Sequence, residues 1–199
     1  MAVKEDGALR ILADGLLAEN AGGGAISPAQ TAMLRALEAR QVLLCLEENS
    51  GSVSFSYASR EAKRLLTDPD RILTRYVCDR LKNSGLFDDV MCDYEIGWPD
   101  AGVAHVFDCV ATRGFSSVFI ECSAGAPDLD RFYKLSSLVS QFGVNARAVW
   151  VADTACDAGR EEENRRRIAD GERLGITVIS DAEQIGRIDE AVLRILADG

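Results

Sequence analysis

Apolar positions recur along this chain at two spacings, helical and alternating, and their order outlines a fold. Leu9, Leu12, Leu16 and Leu17 at helical spacing predict a helix over 4–19, broken by Gly22-Gly23-Gly24. Ser27 reads as an N-cap with Pro28 at the first helical position, leading a second helix to Ala39 with Met33, Leu34 and Leu37 inward. The short runs Val42–Leu46 and Ser52–Tyr57 flank Asn49-Ser50-Gly51 and read as a hairpin. From Ser59 to Lys82 the spacing is helical again, interrupted near Pro69. Its second half carries Ile72, Leu73, Tyr76, Val77 and Leu81, a stripe wide enough to pack on a sheet.

The second half of the chain alternates strands with helices. Val90–Ile96 predicts a strand, and Trp98–Gly102 a turn. Val103–Gly125 (VAHVFDCVATRGFSSVFIECSAG) predicts a hairpin closed by a tight turn near Gly114. Leu129, Phe132, Leu135, Val139 and Phe142 mark a helix over Asp128–Phe142, ended by Gly143. The nearly continuous apolar run Ala146–Ala152 reads as a strand buried on both faces. A polar helix over 158–174, a short strand over Ile176–Ser180, and a closing helix through Ile185, Ile188, Val192, Leu193 and Leu196 complete the order. The expected class is α/β, a mixed central sheet flanked by helices over 67–199. A small helix-and-hairpin, winged-helix-like module occupies 1–66. That module has only Arg35 and Arg40 as cations between 26 and 58, which suits packing or dimerisation better than nucleic-acid binding.

The hairpin carries the candidate chemistry. Strict alternation places Val106, Asp108 and Val110 on one face and Phe107, Cys109 and Ala111 on the other; on the return strand Phe119, Glu121 and Ser123 share a face. A turn centred between Gly114 and Phe115 sets Asp108 opposite Glu121. Like charges so placed repel, and call for a divalent cation, a shared proton or a basic partner. An exposed, solvated pair is the ordinary alternative, because a one-residue slip separates the two. His105, the only histidine, falls on the face opposite Asp108 and reads as a rim or core residue.

Composition narrows the picture. The chain has 199 residues, 47% apolar and 27% charged, the composition of a globular domain. No run approaches a membrane span and the first residues lack a signal-peptide core, so a cytoplasmic protein is expected. The net charge of −10 argues against broad attraction to nucleic acid while leaving room for a local basic cleft. Arg160 and Arg165–Arg167 are interleaved with Glu161–Glu163, as on a self-paired helix. The six cysteines contain no CxxC pair and read neither as a disulfide framework nor as a zinc site. No GxGxxG, GxxxxGK[ST] or GxSxG motif is present.

The succession RYVCDRL (75–81), SGLFDDV (84–90), VFDCVAT (106–112), VFIECSAG (118–125), FYKLSSL (132–138) and a strand with Trp150 resembles the restriction-endonuclease-like PD-(D/E)xK superfamily. More narrowly, it resembles the nuclease half of CRISPR-ancillary effectors that join a cyclic-oligoadenylate-sensing domain to such a nuclease. The similarity covers roughly 30–199. It implies that Asp108 and Glu121 hold Mg²⁺ or Mn²⁺. The catalytic Lys position is occupied by Ser123, ECSAG standing where ECKTG is expected, and the helix Glu position by Thr74 or Arg75. Serine brings no positive charge, and loss of one such group costs about 100 to 1,000-fold in rate. Lys134, reaching in from the following helix, is the candidate substitute; its ordinary role is an exposed lysine on a polar helix face.

The resemblance thus implies a metal-dependent nuclease with weakened catalysis, or a relative that keeps the fold as a binding or dimerisation module. Nucleic acid and a second copy are the implied partners. About 60 residues before Thr67 are too few for a Rossmann-like sensing unit, so the expectation is a free-standing relative or a piece of a longer effector.

Overall fold

A computed structural model describes residues 3–5, 7–8, 28–49, 52–98, 103–154 and 160–197. It divides into two compact units, Met1–Ile72 and Leu73–Gly199.

In the first unit, Pro28 opens helix α1 (Pro28–Ala39), where its missing N–H costs nothing. Strands β3 (Leu43–Asn49) and β4 (Ser52–Tyr57) form the expected hairpin, with a register shift between Leu44 and Glu47. Helix α2 (Arg60–Leu66) is capped by Ser59, whose hydroxyl accepts the Ala62 N–H at 3.0 Å. Leu34, Leu43, Leu46, Val53, Phe55 and Leu66 make the core. The helix expected over 4–19 is corrected where it can be seen. Val3–Glu5 (β1) and Gly7–Ala8 (β2) are strands, giving the order β2-β1-β4-β3. The unpaired edge of β4 offers a ladder of backbone groups, and β1 takes it in preference to the local helical rhythm. The rest of 4–19, the glycine triplet and Ser27 lie outside the described residues.

Helix α3 (Pro69–Ser84) restarts at Pro69. The second unit contains β5 (Asp89–Trp98), β6 (Val103–Arg113), β7 (Ser116–Ser123), α4 (Leu129–Val139), β8 (Ala146–Ala152), α5 (Glu161–Arg173), β9 (Ile176–Ile179), α6 (Ala182–Gly186) and α7 (Ile188–Ala197). The sheet order is β5-β6-β7-β8-β9; β5, β6 and β7 run antiparallel, and β7, β8 and β9 parallel. It is a mixed five-stranded sheet flanked by helices, the expected class. Two successive β-α-β crossovers in one direction place α4 and α5 on the same face. There Phe132, Leu135 and Val139 pack on Phe119, Ala148 and Trp150. The other face is covered by α3 and α7 through Leu73, Val77, Leu81, Ile188, Val192 and Leu196. The closing helix is two short ones, divided at Arg187, and Tyr76 of the expected inward stripe is exposed.

The alternation expected along β6 fails at Asp108. Cys109 and Ala111 face α3, whereas Phe107 and Val110 face α4, so Phe107 and Cys109 do not share a face. The same reversal occurs on β5, where Cys92 faces α3 and Ile96 faces α4. The cause is a matched kink. Asp93 has φ +50°, and regular pairing skips the Asp93/Asp108 position between Cys92↔Cys109 and Tyr94↔Phe107.

One glycine is needed for close approach. A Cβ at Gly171 of α5 would lie 2.9 Å from the Phe132 ring and from Val178 Cγ2. Gly171→Ala is expected to destabilise the protein by about 1–3 kcal/mol through overpacking, despite alanine's better helix propensity. Urea midpoints measure this; an unchanged or higher midpoint for the variant refutes it.

Candidate functional site

The β6–β7 turn is two residues long, Gly114-Phe115, closed by Arg113↔Ser116. Gly114 at φ +58° supplies the left-handed position such a turn needs. This register runs regularly to Cys109↔Ile120, one step short of Asp108 and Glu121. There the ladder stops. Cys122 is the next residue of β7 whose amide points toward β6, and its N–H donates to Asp108 Oδ2 at 2.8 Å instead of to a strand carbonyl. The side chain of Asp108 thereby stands in for main chain at the point where the two strands part.

Glu121 is buried, and its Oε1 lies 2.9 Å from His105 Nε2. His105 packs edge-on against Phe107, ring centroids 4.6 Å apart. The reversal at Asp108 is what brings His105 and Phe107 to the face of Glu121. Burial pushes the Glu121 carboxyl up to about 8, with the negative charge of Asp108 the second cause. Asp108 is also raised, by burial first, although the Cys122 N–H and the Thr74 side chain favour its charged form. His105 is lowered, by burial and then by the Lys134 charge. Both shifts oppose a charge-separated pair, so the contact near neutral pH is a hydrogen bond between an uncharged carboxyl and an uncharged imidazole.

Beside this pair lies a cavity of about 150 Å³, lined by His105, Glu121, Arg131, Lys134, Leu135 and Trp150. Arg131 and Lys134 come from the first two turns of α4, which Asp128 caps by accepting the Arg131 N–H at 3.0 Å. The Arg131 guanidinium lies over the Trp150 ring, 4.8 Å from its centroid. The cavity therefore sits at the carboxyl ends of β7 and β8, where open α/β sheets commonly bind ligands. Two cations and one buried carboxyl meet there.

The structure brings together Glu121 and Lys134 on one cavity wall, and the charge of Asp108 acts on Glu121 from outside that wall. Ser123 is placed differently. Its hydroxyl accepts from Trp150 Nε1 at 2.8 Å and donates to the Gly125 carbonyl at 2.6 Å, so both of its roles serve the end of β7. Of the two residues at the helix Glu position, Thr74 bonds Asp108, while Arg75 pairs outward with Asp79 at 3.1 Å. The sequence reading missed three neighbours. His105 was set on the wrong face by strict alternation, Arg131 was hidden among helix-surface charges, and Asp93, whose charge raises Asp108, lay on a strand assigned no chemistry.

The donor set suits a hard divalent cation in kind: two carboxyls lie close enough for the charge of one to raise the other, and burial outweighs the nearby charges of Arg131 and Lys134. Asp108 and Glu121 would hold such an ion. Among the described residues, Asp108, Glu121 and His105 do not form a three-ligand cluster within 4.8 Å.

No protein-family model and no curated protein matches the chain. Solved structures do. Protein VC1899 from Vibrio cholerae is 17% identical, with TM-score 0.59 over 86% of this chain and 43% of that one. Can2 from Sulfobacillus thermosulfidooxidans, solved in complex with cyclic tetra-adenylate, is 14% identical, with TM-score 0.58 over 82% of this chain and 45% of that one. The likeness is one of fold. The chain spans less than half the length of either protein. The small subunit of the heterodimeric restriction endonuclease R.BspD6I is 14% identical, with TM-score 0.41 over 66% of this chain and 72% of that one. Among the described residues, no helix is long and apolar enough to cross a membrane.

The raised carboxyl makes stability depend on pH. Folded Glu121 keeps its proton to about 8, whereas its ordinary value is 4.5, so between these values the folded chain binds more protons than the unfolded one. This contribution to stability is complete below the unfolded value and is lost as pH rises through the folded one. Glu121→Gln is expected to lessen the fall in urea midpoint between about pH 5 and pH 9 in chelator-treated protein. An equal fall in wild type and variant refutes the assignment.

Proposed function

We propose that the second unit is a restriction-endonuclease-like nuclease domain that hydrolyses phosphodiesters of nucleic acid, with catalysis weakened relative to a complete PD-(D/E)xK site. The observation that carries the reading is the meeting of Asp108 and Glu121 where β6 and β7 part, beside the cationic wall of Arg131 and Lys134. A divalent cation bound there supplies an activated water and neutralises charge on the phosphate. Asp108 and Glu121 hold that ion; Lys134 takes over the charge that Ser123 lacks. Arg131, braced on Trp150, orients a phosphate oxygen with its guanidinium fork. His105 holds Glu121 in place through Oε1.

A cytoplasmic setting belongs to this reading, because its nucleic-acid substrate is met there. A homodimer belongs to it on the family resemblance alone. One observation favours the second reading, a non-catalytic binding or dimerisation relative: Glu121 Oε1 is already engaged by His105.

Cleavage of single- and double-stranded DNA and RNA with Mn²⁺ and with Mg²⁺ tests the proposal. Wild type is expected to cut slowly. Asp108→Ala is expected to abolish cutting, and Lys134→Ala to lower it by about 100 to 1,000-fold, the usual cost of one charge-stabilising group. Equal background in wild type and Asp108→Ala refutes hydrolysis. Saturable Mn²⁺ binding by calorimetry that vanishes in Glu121→Gln counts against the non-catalytic reading.

A further inference from the structure

On the opposite face of the sheet from the cavity, three cysteines far apart in sequence converge. Cys78 comes from α3, Cys92 from β5 and Cys109 from β6, and their Sγ atoms all lie within 4.8 Å of one another. Cys92 and Cys109 are directly paired across β5 and β6. Cys78 and Cys109 are buried, while Cys92 is partly open to solvent. The expectation of no thiolate site rested on spacing along the chain, which says nothing about residues assembled from three elements.

The distances are those of a ligand shell. Three thiolates about 2.3 Å from one d¹⁰ ion in a trigonal arrangement stand about 4.0 Å apart. Three sulfurs already within 4.8 Å reach that spacing by rotamer adjustments of under about 1 Å. The surroundings are otherwise apolar: Leu81, Ala111 and Val77 belong to the same cluster. The Lys82 ammonium lies near enough to Cys92 for each to shift the other's titration, and it supplies a positive charge against a thiolate there. The cluster presents three sulfurs to one point, with the Asp108 carbonyl oxygen 3.5 Å from Cys78 Sγ. Soft ligands in a dry three-coordinate setting select thiophilic ions over Mg²⁺ or Mn²⁺.

We propose that Cys78, Cys92 and Cys109 form a binding site for one thiophilic d¹⁰ cation, Cu⁺ or Zn²⁺, separate from the Asp108–Glu121 site. Binding exchanges protons for metal. Each S–H bond breaks heterolytically, its electron pair passes to a metal–sulfur bond, and the proton leaves to solvent; no oxidant or reductant takes part. In the metal-free protein the thiol of Cys78 donates to the carbonyl of Asp108, 3.5 Å away. Loading the cluster removes that hydrogen bond one peptide away from the acidic site. The site itself stands whether or not the chain cuts nucleic acid.

The test is anaerobic titration of the reduced full chain with Cu⁺ and, separately, with Zn²⁺. It is made in a Cys45→Ser, Cys156→Ser background so that neither of these thiols contributes. One equivalent of at least one ion is expected to bind, with thiolate-to-metal absorption in the near ultraviolet for Cu⁺. Cys92→Ser is expected to weaken binding by more than about 100-fold, beyond the 10 to 100-fold typical of outer-shell changes. Glu121→Gln is expected to leave it unchanged, which separates this site from the carboxylate site. Because Cys109 is buried, Cys92→Ala, at a partly open position, serves as the second variant, with circular dichroism confirming its fold. Selective Cu⁺ binding and binding of both ions each support the proposal. Absence of stoichiometric binding by either ion, or binding that survives both Cys92 variants, overturns it.

Discussion

Everything chemical in the second unit depends on a carboxylate doing the work of a backbone carbonyl. Where β6 and β7 separate, the amide of Cys122 would lose its strand partner, and an unpaired buried N–H costs about 1–3 kcal/mol. Asp108 Oδ2 accepts it instead. The strands can therefore part without an orphaned donor, and Glu121 occupies the opening. The constraint also runs backwards. Asp108 is held half-buried by the amide and by Thr74, close enough to Glu121 for its charge to be felt.

The kink at Asp93 and Asp108 divides the sheet's chemistry between its faces. Beyond it, β6 turns His105 and Phe107 toward α4; before it, β6 turns Cys109 toward α3. A single peptide thus separates a face of oxygen, imidazole and cationic side chains from one of sulfur. Burial acts alike on both: it raises the carboxyl of Glu121 and the thiol of Cys92, the latter to about 11, and so favours the uncharged form of each.

Ser123, at the position where the family resemblance implies a lysine, has a structural role. Its hydroxyl ties Trp150 to the carbonyl of Gly125, fixing the end of β7 against β8. Trp150 in turn supports Arg131 at the cavity. A lysine at 123 could not both donate to Gly125 and accept from the indole N–H, since an ammonium has no acceptor. The serine thus orders the cavity wall, and the cations beside Glu121 come from α4.

The elements themselves were legible in the chain. Apolar spacing marks Ala146–Ala152 as a buried strand and Asp128–Phe142 as a helix, because burial of a strand face or helix stripe is recorded at each residue's own position. The register of the β6–β7 hairpin was also legible, since a two-residue turn at Gly114-Phe115 leaves one pairing. What the chain did not record locally was the reversal at Asp93 and Asp108, which arises only when two strands kink together. His105 beside Glu121, Arg131 over Trp150 and the three sulfurs of Cys78, Cys92 and Cys109 all follow from that packing. By itself the sequence determined most of the strands and helices of the second unit and how β6 pairs with β7 across their turn. Tertiary structure alone decided which face each side chain took, because a face is set by the partner strand's backbone as well as by a residue's own.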